Sequence, residues 1–548
     1  MARPKDPKTS TVTDESGLPR RDFLRLSLGG AALIAGCGDD GLGGASETDG
    51  ESSSTSGGTG ETTGGETTTT TDATSGSSSS SSDTSTTTGD ETTGTTVDPT
   101  TTTTGDTTGV ETTGTTTGED LCAGELVEFD PESIALDEVL FPLAVMVGEM
   151  KTTSVMFAVF VADASPKTLR IWRTTDDPGV VDMIHEEEVV PDAEGYTKLS
   201  VEGLCPGTWY RYGYFEGGPD EFTARSLLGE FRTAIDDDVL EPLTIAMTAC
   251  NGSDLDWPAL DYTAEEYYDL FIHLGDMAYN DGSETLAEYR ASWRKYLSVG
   301  GFKKVYSRSG LYATWDDHEI DDNSNFDRET MDPQELQRRQ NAMDSYFELM
   351  PIDAEGPSYR LWRSFRWGLT AEFIVLDCRY ERRPSMDQYI SPQQMMFLKD
   401  RMLNSPCHFK VIVNSVPITN MPTVWDVAAN DRWEGYPAQR QEVLDFINDN
   451  NVENVWFLSG DFHVTFVSRL EPDGMDLASR TREIAITGGN ENPIPEFLTG
   501  LNQPQFDYGR HKARGCVITF DPMANAVNVR FIDPENGEDV YNESLTQD

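Results

Sequence analysis

The chain has 548 residues, which allows about three domain-sized units, and only 37% of its residues are hydrophobic, so part of it lies outside any apolar core. Its 41 basic and 95 acidic side chains give a formal net charge of −54, which excludes a nucleic-acid-binding surface as its main function. The longest apolar run, from Leu26 to Gly36, is about half of the roughly 20 residues that a membrane-spanning helix needs. We therefore expect that the chain is not an integral membrane protein.

Residues 1–37 have the pattern of an export signal. Arg20 and Arg21 precede a short apolar run, as in twin-arginine signals, and Ile34-Ala35-Gly36-Cys37 has the form of a lipoprotein processing site. We expect export by the twin-arginine route to the cell envelope, on the periplasmic or outer surface. The lipid on Cys37 would be the only link to the membrane. Because this route exports folded proteins, often with metal already loaded, it favours a metal cofactor.

Residues 38–124 are almost wholly Ser, Thr, Gly, Asp and Glu. Such a segment has too few apolar groups to offset the entropy cost of ordering its backbone. We therefore expect a disordered linker.

Seven cysteines occur in the chain, and their number bears on disulfide pairing. Cys37 is assigned to the lipid and Cys250 to a metal, which leaves an odd set of five: Cys122, Cys205, Cys378, Cys407 and Cys516. At least one of these stays free. We predict that Cys122 pairs with Cys205, because both flank the first globular unit.

Residues 125–236 are predicted to form a β-sandwich. Alternating or β-branched stretches at 152–161 and 168–174 are followed by a Pro-Gly turn that leads into an aromatic strand. The turn sequence, Leu204 to Tyr210, resembles the corner of fibronectin type III domains. His185 lies beside Glu186, Glu187 and Glu188, and we interpret this run as a solvated loop and not as a metal site.

Residues 240–548 alternate between strand-like apolar runs and helical segments, which predicts an α/β unit. Helix starts are readable at Asp332-Pro333, which opens a helix to Leu349, and at Ser391-Pro392 with Gln394, which predicts a capping box. Six strand-like runs end in polar residues: Cys250-Asn251, Asp276, Asp316-Asp317-His318-Glu319, Asp377, Asn414-Ser415 and Asp461-Phe462-His463. Since ligands bind at the carboxyl ends of such strands, we expect these side chains to form one site.

These residue types suit a multi-metal hydrolase. A carboxylate such as Asp276 can bridge two cations that clamp the attacking and leaving oxygens at phosphorus. The thiolate of Cys250, the phenolate of Tyr279 and an imidazole favour a transition metal, whereas carboxylates and amides favour Ca²⁺ or Mg²⁺. For Cys250 a small buried hydrophobe at a strand end is an equally open interpretation.

Several of these motifs together carry a family resemblance. The segments are His273–Tyr279, Thr314–Glu319, Tyr359–Gly368, Leu376–Arg379, Trp433–Pro437 with Arg440, and Ser459–His463. In order and spacing they resemble the PhoD-type alkaline phosphatase/phosphodiesterase family of metallophosphoesterases, over about residues 130 to 535. The resemblance implies a four-layer α/β/β/α metallophosphoesterase domain preceded by a fibronectin-III-like β-sandwich.

The resemblance also implies an activity and a set of ligands. The activity is hydrolysis of phosphomonoesters, phosphodiesters or both outside the cytoplasm, by in-line attack of a metal-activated hydroxide. The cofactors are Fe³⁺ and Ca²⁺, with other divalent ions possible, and His318 is the catalytic histidine. The iron ligands carried over are Cys250, Asp276, Tyr279 and His463, with Asp276 bridging to calcium, and the further metal ligands are Asp317, Asp461 and Asn323.

Two departures from the family pattern concern the site. Asn414 to Pro417 lies where the superfamily places a metal-binding histidine, so that one ligand is missing or supplied by water. The chain ends soon after the strand Val527–Ile532, so we expect wider substrate access than in relatives with a C-terminal helix over the site. Alternative functions are a nucleotidase or phospholipase-D-like phosphodiesterase of the same fold, or a catalytically inactive surface-binding protein.

Overall fold

The structure, a computed structural model, describes residues 122–218, 221–321, 332–353 and 359–547, without the side chains of 427–429. The predicted export signal, nearly all of the predicted linker and the predicted ligand Asn323 lie outside the described residues. Within the described part, no helix combines the length and hydrophobicity needed to cross a membrane.

The first part of the described chain contains nine strands and a short 3₁₀ helix at Pro131–Ser133. The strands are β1 (Glu125–Glu128), β2 (Met146–Gly148), β3 (Ser154–Phe160), β4 (Lys167–Thr174), β5 (Val180–Val189), β6 (Tyr196–Glu202), β7 (Trp209–Gly218), β8 (Glu221–Arg225) and β9 (Gly229–Arg232). One sheet has the order β1-β5-β4-β7-β8, with β9 also paired to β7, and β2, β3 and β6 pair in a second sheet. The ring of Phe157 on β3 packs 4.9 Å from that of Tyr212 on β7, so the two sheets form the predicted β-sandwich.

The corner before β7 is tied down at two points. The hydroxyl of Tyr210 accepts a hydrogen bond of 2.8 Å from the backbone N–H of Cys205, the contact that defines a tyrosine corner. Cys205 forms a disulfide with Cys122, which confirms the predicted pairing. The other cysteines in the described residues, Cys250, Cys378, Cys407 and Cys516, are free and buried.

The interpretation of His185 as part of a loop is wrong, because His185 lies inside strand β5. Its side chain is partly exposed, and its Nε2 lies 3.1 Å from the carboxylate of Glu187, two residues along the same strand. Side chains at this spacing share one face of a strand, so a charged run on an edge of the sandwich is compatible with regular β structure.

The second part contains the α/β unit. Its helices are α1 (Pro258–Thr263), α2 (Leu286–Leu297), α3 (Gly300–Tyr306), α4 (Pro333–Leu349), α5 (Pro392–Asn404), α6 (Pro437–Asp449) and α7 (Leu477–Arg480). Its strands are β10 (Leu243–Thr248), β11 (Leu270–His273), β12 (Gly310–Ala313), β13 (Arg363–Trp367), β14 (Ala371–Val375), β15 (Phe409–Val413), β16 (Val455–Ser459), β17 (Thr465–Arg469), β18 (Arg482–Ala485), β19 (Phe506–Arg510), β20 (Gly515–Asp521), β21 (Ala526–Ile532) and β22 (Asp539–Leu545). Short 3₁₀ helices occur at Pro384–Met386, Thr423–Asp431, Trp433–Gly435 and Glu496–Leu498.

Two sheets pack face to face with helices on both outer sides, which confirms the predicted four layers. One sheet has the order β22-β21-β20-β10-β11-β12-β2-β3-β6, and the other has the order β13-β14-β15-β16-β18-β17-β19. The core between them includes Met247 of the first sheet and Phe373 of the second. A second core holds Trp293 of α2 against the outer face of the first sheet, and a third holds Leu398 of α5 against the second.

The nine-stranded sheet crosses the boundary that the sequence predicts near residues 236–240. Strand β12 of the α/β unit pairs in parallel with β2 of the sandwich, with Leu311 opposite Gly148. A Cβ atom at Gly148 would lie 2.6 Å from the carbonyl oxygen of Pro351, so the close approach of the two chain segments requires glycine there. The sandwich therefore shares a sheet with the α/β unit.

The predicted starts of α4 and α5 are confirmed at the predicted residues. The capping box predicted at the start of α5 is only half formed. Asp332 accepts a 2.9 Å hydrogen bond from Gln334 N at the start of α4, and Ser391 accepts one of 3.1 Å from Gln394 N at the start of α5. The side chain of Gln394 does not return to Ser391, because it bonds the backbone of Asp377 and the carboxylate of Glu381 instead.

Candidate metal centre

The loops that follow the central strands of both sheets converge on one buried cluster of ligand-type side chains. Strands β10, β11 and β12 run parallel in one sheet and β14, β15 and β16 in the other, so their carboxyl ends carry the predicted residues to one edge. Three groups have ligand atoms within 4.8 Å of one another: Cys250, Asp276 and His463; Asp276, Asp317 and His318; and Asp316, Asp317 and Asp461. Asp276 and Asp317 each belong to two groups, so the groups form one continuous cluster.

Four of these residues have an unfavourable backbone conformation. The φ angles are 50° at Cys250, 54° at Asp276, 68° at Asp461 and 51° at His463, all in the left-handed region that residues with a Cβ atom rarely adopt. Gly275 precedes Asp276 at φ 108°, where a Cβ atom would lie 2.7 Å from the backbone nitrogen of Asp316. Backbone strain of this kind costs about 1–3 kcal/mol per residue and concentrates at functional sites.

Glu319 connects the strained loop at Asp276 to the loop that carries Asp316. Its carboxylate accepts hydrogen bonds from the backbone N–H groups of Asp276 (3.0 Å), Met277 (2.6 Å) and Asp316 (2.8 Å). Burial raises the pKa of Glu319 to about 7, although the three N–H donors oppose the rise. In the sequence, Glu319 is marked only by its position at the end of the polar run after β12, which predicts neither a ligand nor a positioning role for it.

Of the predicted iron ligands, Cys250 is buried and Tyr279 is half-buried, and both are held by neighbours. The backbone N–H of Asp461 donates to the Cys250 sulfur at 3.1 Å, and the side-chain amide of Asn490 donates to the Tyr279 hydroxyl at 2.8 Å. Burial, followed by the negative charge of Asp276, raises the pKa of Cys250 and of Tyr279 well above their usual values. A cation beside them would reverse this effect, because it stabilises thiolate and phenolate.

Two carboxylates of the cluster each have a buried oxygen without a hydrogen-bond donor among the described residues, which indicates whether the cluster can hold metal ions. Within the described chain, Oδ1 of Asp276 and Oδ2 of Asp461 are buried without any hydrogen-bond partner. An ionised carboxylate oxygen buried in this way is costly unless a proton or a cation satisfies it. Burial raises the pKa of both acids well above the usual value, although His318 beside Asp276 and Arg379 beside Asp461 oppose the rise. The residues present therefore fit bound cations.

Arg379 lies among the predicted calcium ligands, although the sequence did not predict a role for it in the site. Its guanidinium binds both carboxylate oxygens of Asp316 and also contacts Asp461 at 2.7 Å, Asp317 at 3.5 Å and Asp431. Burial opposes its charge, but the surrounding carboxylates outweigh burial and raise the pKa of Arg379 above its usual value. Asp317 and Asp461 thus face a fixed positive charge on one side, which limits the further positive charge that they need.

His318 belongs to the cluster as well, in the group with Asp276 and Asp317. Its Nδ1 donates to the carboxylate of Asp281 at 2.8 Å, and its ring lies 4.0 Å from the ring of Tyr279. Burial alone would lower the pKa of His318, but Asp276, Asp317 and Asp281 outweigh burial and raise it well above the usual value. The predicted catalytic residue is therefore part of the cluster, and the structure adds Asp281 as its partner.

The structure also accounts for the departure at Asn414. Its side-chain oxygen accepts from the thiol of Cys378 at 2.8 Å and from the indole of Trp433 at 3.3 Å, and its amide nitrogen donates to Val416 O. Asn414 thus bonds within the core of the second sheet. The ligand that the superfamily has in this segment is not replaced by the Asn414 amide.

Comparison with known proteins agrees with this geometry. The sequence model of the PhoD-like phosphatase family matches residues 245–500. Alkaline phosphatase D of Bacillus subtilis (strain 168) is 28% identical over 333 residues, which cover 52% of this chain and 56% of that protein. The chain therefore aligns with little more than half the length of this curated relative.

Two solved structures have the same fold. A structure of PhoD superposes with a TM-score of 0.63 at 22% identity, over 74% of this chain and 89% of that one. The purple acid phosphatase PPD1 from yellow lupin (Lupinus luteus) seeds superposes with a TM-score of 0.53 at 12% identity, over 74% of this chain and 75% of that one. In its metallophosphoesterase fold, its match to the family model and its buried cluster of ligand-type side chains, this chain is similar to the PhoD-like phosphatases.

Proposed function

We propose that this protein is a metal-dependent phosphoesterase that hydrolyses phosphomonoesters, phosphodiesters or both. The observation that carries the proposal is the overlap of three ligand groups at Asp276 and Asp317, with one oxygen of Asp276 buried and unpartnered. Cations held by overlapping groups would lie a few Å apart, which is the arrangement that phosphoryl-transfer enzymes use.

The donor types divide the cluster between two kinds of metal. Cys250 and His463 would offer a soft thiolate and a borderline imidazole, and Tyr279 a hard phenolate, a set that would suit iron, with Asp276 able to contribute a carboxylate to both metals. Asp317 and Asp461 offer only oxygens, which suit Ca²⁺ or another hard divalent ion. Bound there, the metals would supply Lewis acidity that stabilises the negative charge building up on the phosphoryl oxygens.

The protein's own residues would position the ester and handle one proton. Asp281 fixes the His318 ring through Nδ1, so Nε2 is the nitrogen that would donate a proton to the leaving oxygen. The Asp281 carboxylate favours the protonated form of the ring, against the effect of burial. Arg379 offsets part of the negative charge of Asp316 and Asp461, which would otherwise repel an anionic ester.

Hydrolysis assays with p-nitrophenyl phosphate and bis(p-nitrophenyl) phosphate test the proposal. Purified protein should hydrolyse at least one ester, lose activity on chelation and regain it with added iron or calcium. Retention of full activity after complete removal of metal would refute metal dependence. Binding of phosphate esters without any turnover would favour an inactive surface-binding protein.

We also propose that the protein is located in the cell envelope. It is supported by the twin-arginine and lipoprotein patterns in residues 1–37 and by the Cys122–Cys205 disulfide, which suits an oxidising compartment. Export should fail when Arg20 and Arg21 are both changed to Lys. Incorporation of labelled fatty acid should be lost in Cys37→Ser. Normal labelling of Cys37→Ser would exclude the lipid anchor at Cys37.

A further inference from the structure

A cavity of about 540 Å³ opens at the loop after β14, and none of the ligand-type side chains of the metal centre lines it. Its walls come from the segment before β13, the loop after β14 and the start of α5. The side chains that characterise it are Tyr359, Arg360, Trp362, Tyr380, Arg383 and Met386. Three aromatic rings and two guanidinium groups in one cavity are unusual for a chain with a net charge of −54.

The cavity and the metal centre share one loop. Tyr380 directly follows Arg379, whose guanidinium contacts Asp316 and Asp461 in the metal centre. On the other side, the indole of Trp315 donates to Asp377 in the cavity wall at 2.9 Å, and Trp315 directly precedes Asp316. The rings of Trp315 and Tyr380 lie 6.1 Å apart. The loop that carries Arg379 into the metal centre thus also supplies Asp377 and Tyr380 to the cavity wall.

The aromatic walls are held rigidly enough to receive a planar ring. Trp362 donates from its indole to Glu381 at 3.1 Å, and its ring packs 4.9 Å from that of Phe397 on α5. The guanidinium of Arg360 stacks on Trp362 at 4.5 Å. Such surfaces bind planar rings by stacking and by cation–π contact.

The acids of the cavity wall are already engaged, whereas one of its arginines is not. Glu381 accepts from Trp362, Gln394 and Ser391, and Asp377 accepts from Trp315 and from two backbone N–H groups. Arg383 has no carboxylate partner among the described residues. Its Nη1 contacts the sulfur of Met386 at 3.8 Å, and its Nε is buried without a hydrogen-bond acceptor. A guanidinium in this state is a ready site for an anionic group.

We propose that this cavity binds the organic part of the phosphate ester and selects esters whose organic group is a planar ring carrying a second negative charge. The ring packs against Tyr380 and Trp362, and the second anion pairs with Arg383. The assignment to the substrate rests on the proposed phosphoesterase function, but the cavity's preference for such a group can be measured without turnover.

Calorimetric titration of the metal-containing protein with three phosphonates tests this preference, because a P–C bond is not hydrolysed. The probes are methylphosphonate, phenylphosphonate and 4-carboxyphenylphosphonate, which share the group that binds at the metals. We expect phenylphosphonate to bind more tightly than methylphosphonate, and the carboxyl group to add about tenfold, as a charge-assisted hydrogen bond does.

Variants assign each gain to its residue. Arg383→Gln should remove the gain from the carboxyl group and leave the gain from the ring, and Tyr380→Leu should reduce the gain from the ring. The matched control is Arg401→Gln, a partly exposed arginine on α5 that pairs with Asp400 outside the cavity and should change neither gain.

The results separate this inference from the proposed function. Equal affinity for the three probes, or equal effects of Arg383→Gln and Arg401→Gln, would overturn the inference. If the graded affinities and the variant effects are found but no phosphate ester is hydrolysed, the cavity's preference is upheld and the phosphoesterase function is refuted.

Discussion

Glu319 provides a sharp test of how the ligand loops are positioned. Its two carboxylate oxygens accept three backbone hydrogen bonds, from Asp276 and Asp316 at Oε2 and from Met277 at Oε1. Glutamine has the same shape but only one acceptor oxygen, so Glu319→Gln can satisfy at most the two donors that share one oxygen. The third N–H would face an NH₂ group.

The expected magnitude follows from that count. One buried N–H left without an acceptor costs about 1–3 kcal/mol in the free energy of unfolding. Because the loops that carry Asp276 and Asp316 would shift, metal affinity should also fall by about 10–100-fold, as it does when groups supporting metal ligands are removed. Hydrolysis at limiting metal concentration should fall in parallel.

Glu483 is a matched control within the same chain. It is a fully buried glutamate on β18 that accepts from the backbone N–H groups of Ile418 and Thr419, and it belongs to none of the ligand groups. Both donors reach one carboxylate oxygen of Glu483, so glutamine can still accept both, and Glu483→Gln should lose less free energy of unfolding and keep its metal affinity. Denaturant unfolding and metal titration of both variants measure the two quantities. Equal metal affinity in Glu319→Gln and Glu483→Gln would refute the positioning role of Glu319.

Four further predictions concern the site and its surroundings. Asp276→Asn should lose bound metal and activity together, whereas His318→Ala should lower turnover about 10²–10⁴-fold with little loss of metal. The loss in His318→Ala should be smaller on nitrophenyl esters, whose leaving group needs no proton. Equal metal loss in both variants would make His318 a metal ligand. If iron is bound, the oxidised protein should be coloured and Tyr279→Phe should bleach it, while an active, colourless protein without iron would exclude iron. Tyr210→Phe should reduce the free energy of unfolding by about 0.5–1.5 kcal/mol without changing kcat, because it removes the hydrogen bond to Cys205 N. Removal of residues 1–121 should leave kcat and KM unchanged in solution, and a large loss of activity with intact circular dichroism would show that the linker contributes to the site.

The sequence predicted the site's location well because it depends on local signals. Each apolar strand of the α/β unit ends abruptly in polar residues, and parallel strands bring such ends to one edge, so Cys250, Asp276 and His463 could be grouped before the structure was known. Helix starts with Pro at the first position were predicted for the same reason, since Asp332 and Ser391 act on their own helices.

The parts that could not be predicted depend on contacts between distant segments. Arg379 reaches Asp316 and Asp461 only because the loops of two different sheets meet, and nothing in its local sequence indicates this. Gln394 fits a capping-box pattern, yet its amide bonds Asp377 and Glu381 because the loop after β14 approaches the start of α5. The pairing of β12 with β2 likewise needs Gly148 opposite Leu311 in three dimensions.

The cluster around Asp276 is proposed to bind two kinds of metal, both of which are needed for ester hydrolysis. The most direct measurement is elemental analysis of the purified protein, combined with hydrolysis of bis(p-nitrophenyl) phosphate before and after the metals are removed and restored. We predict iron and a hard divalent ion in near-stoichiometric amounts, both lost in Asp276→Asn, with activity that follows their occupancy. A fully active protein that contains neither metal would contradict metal-dependent hydrolysis at this cluster.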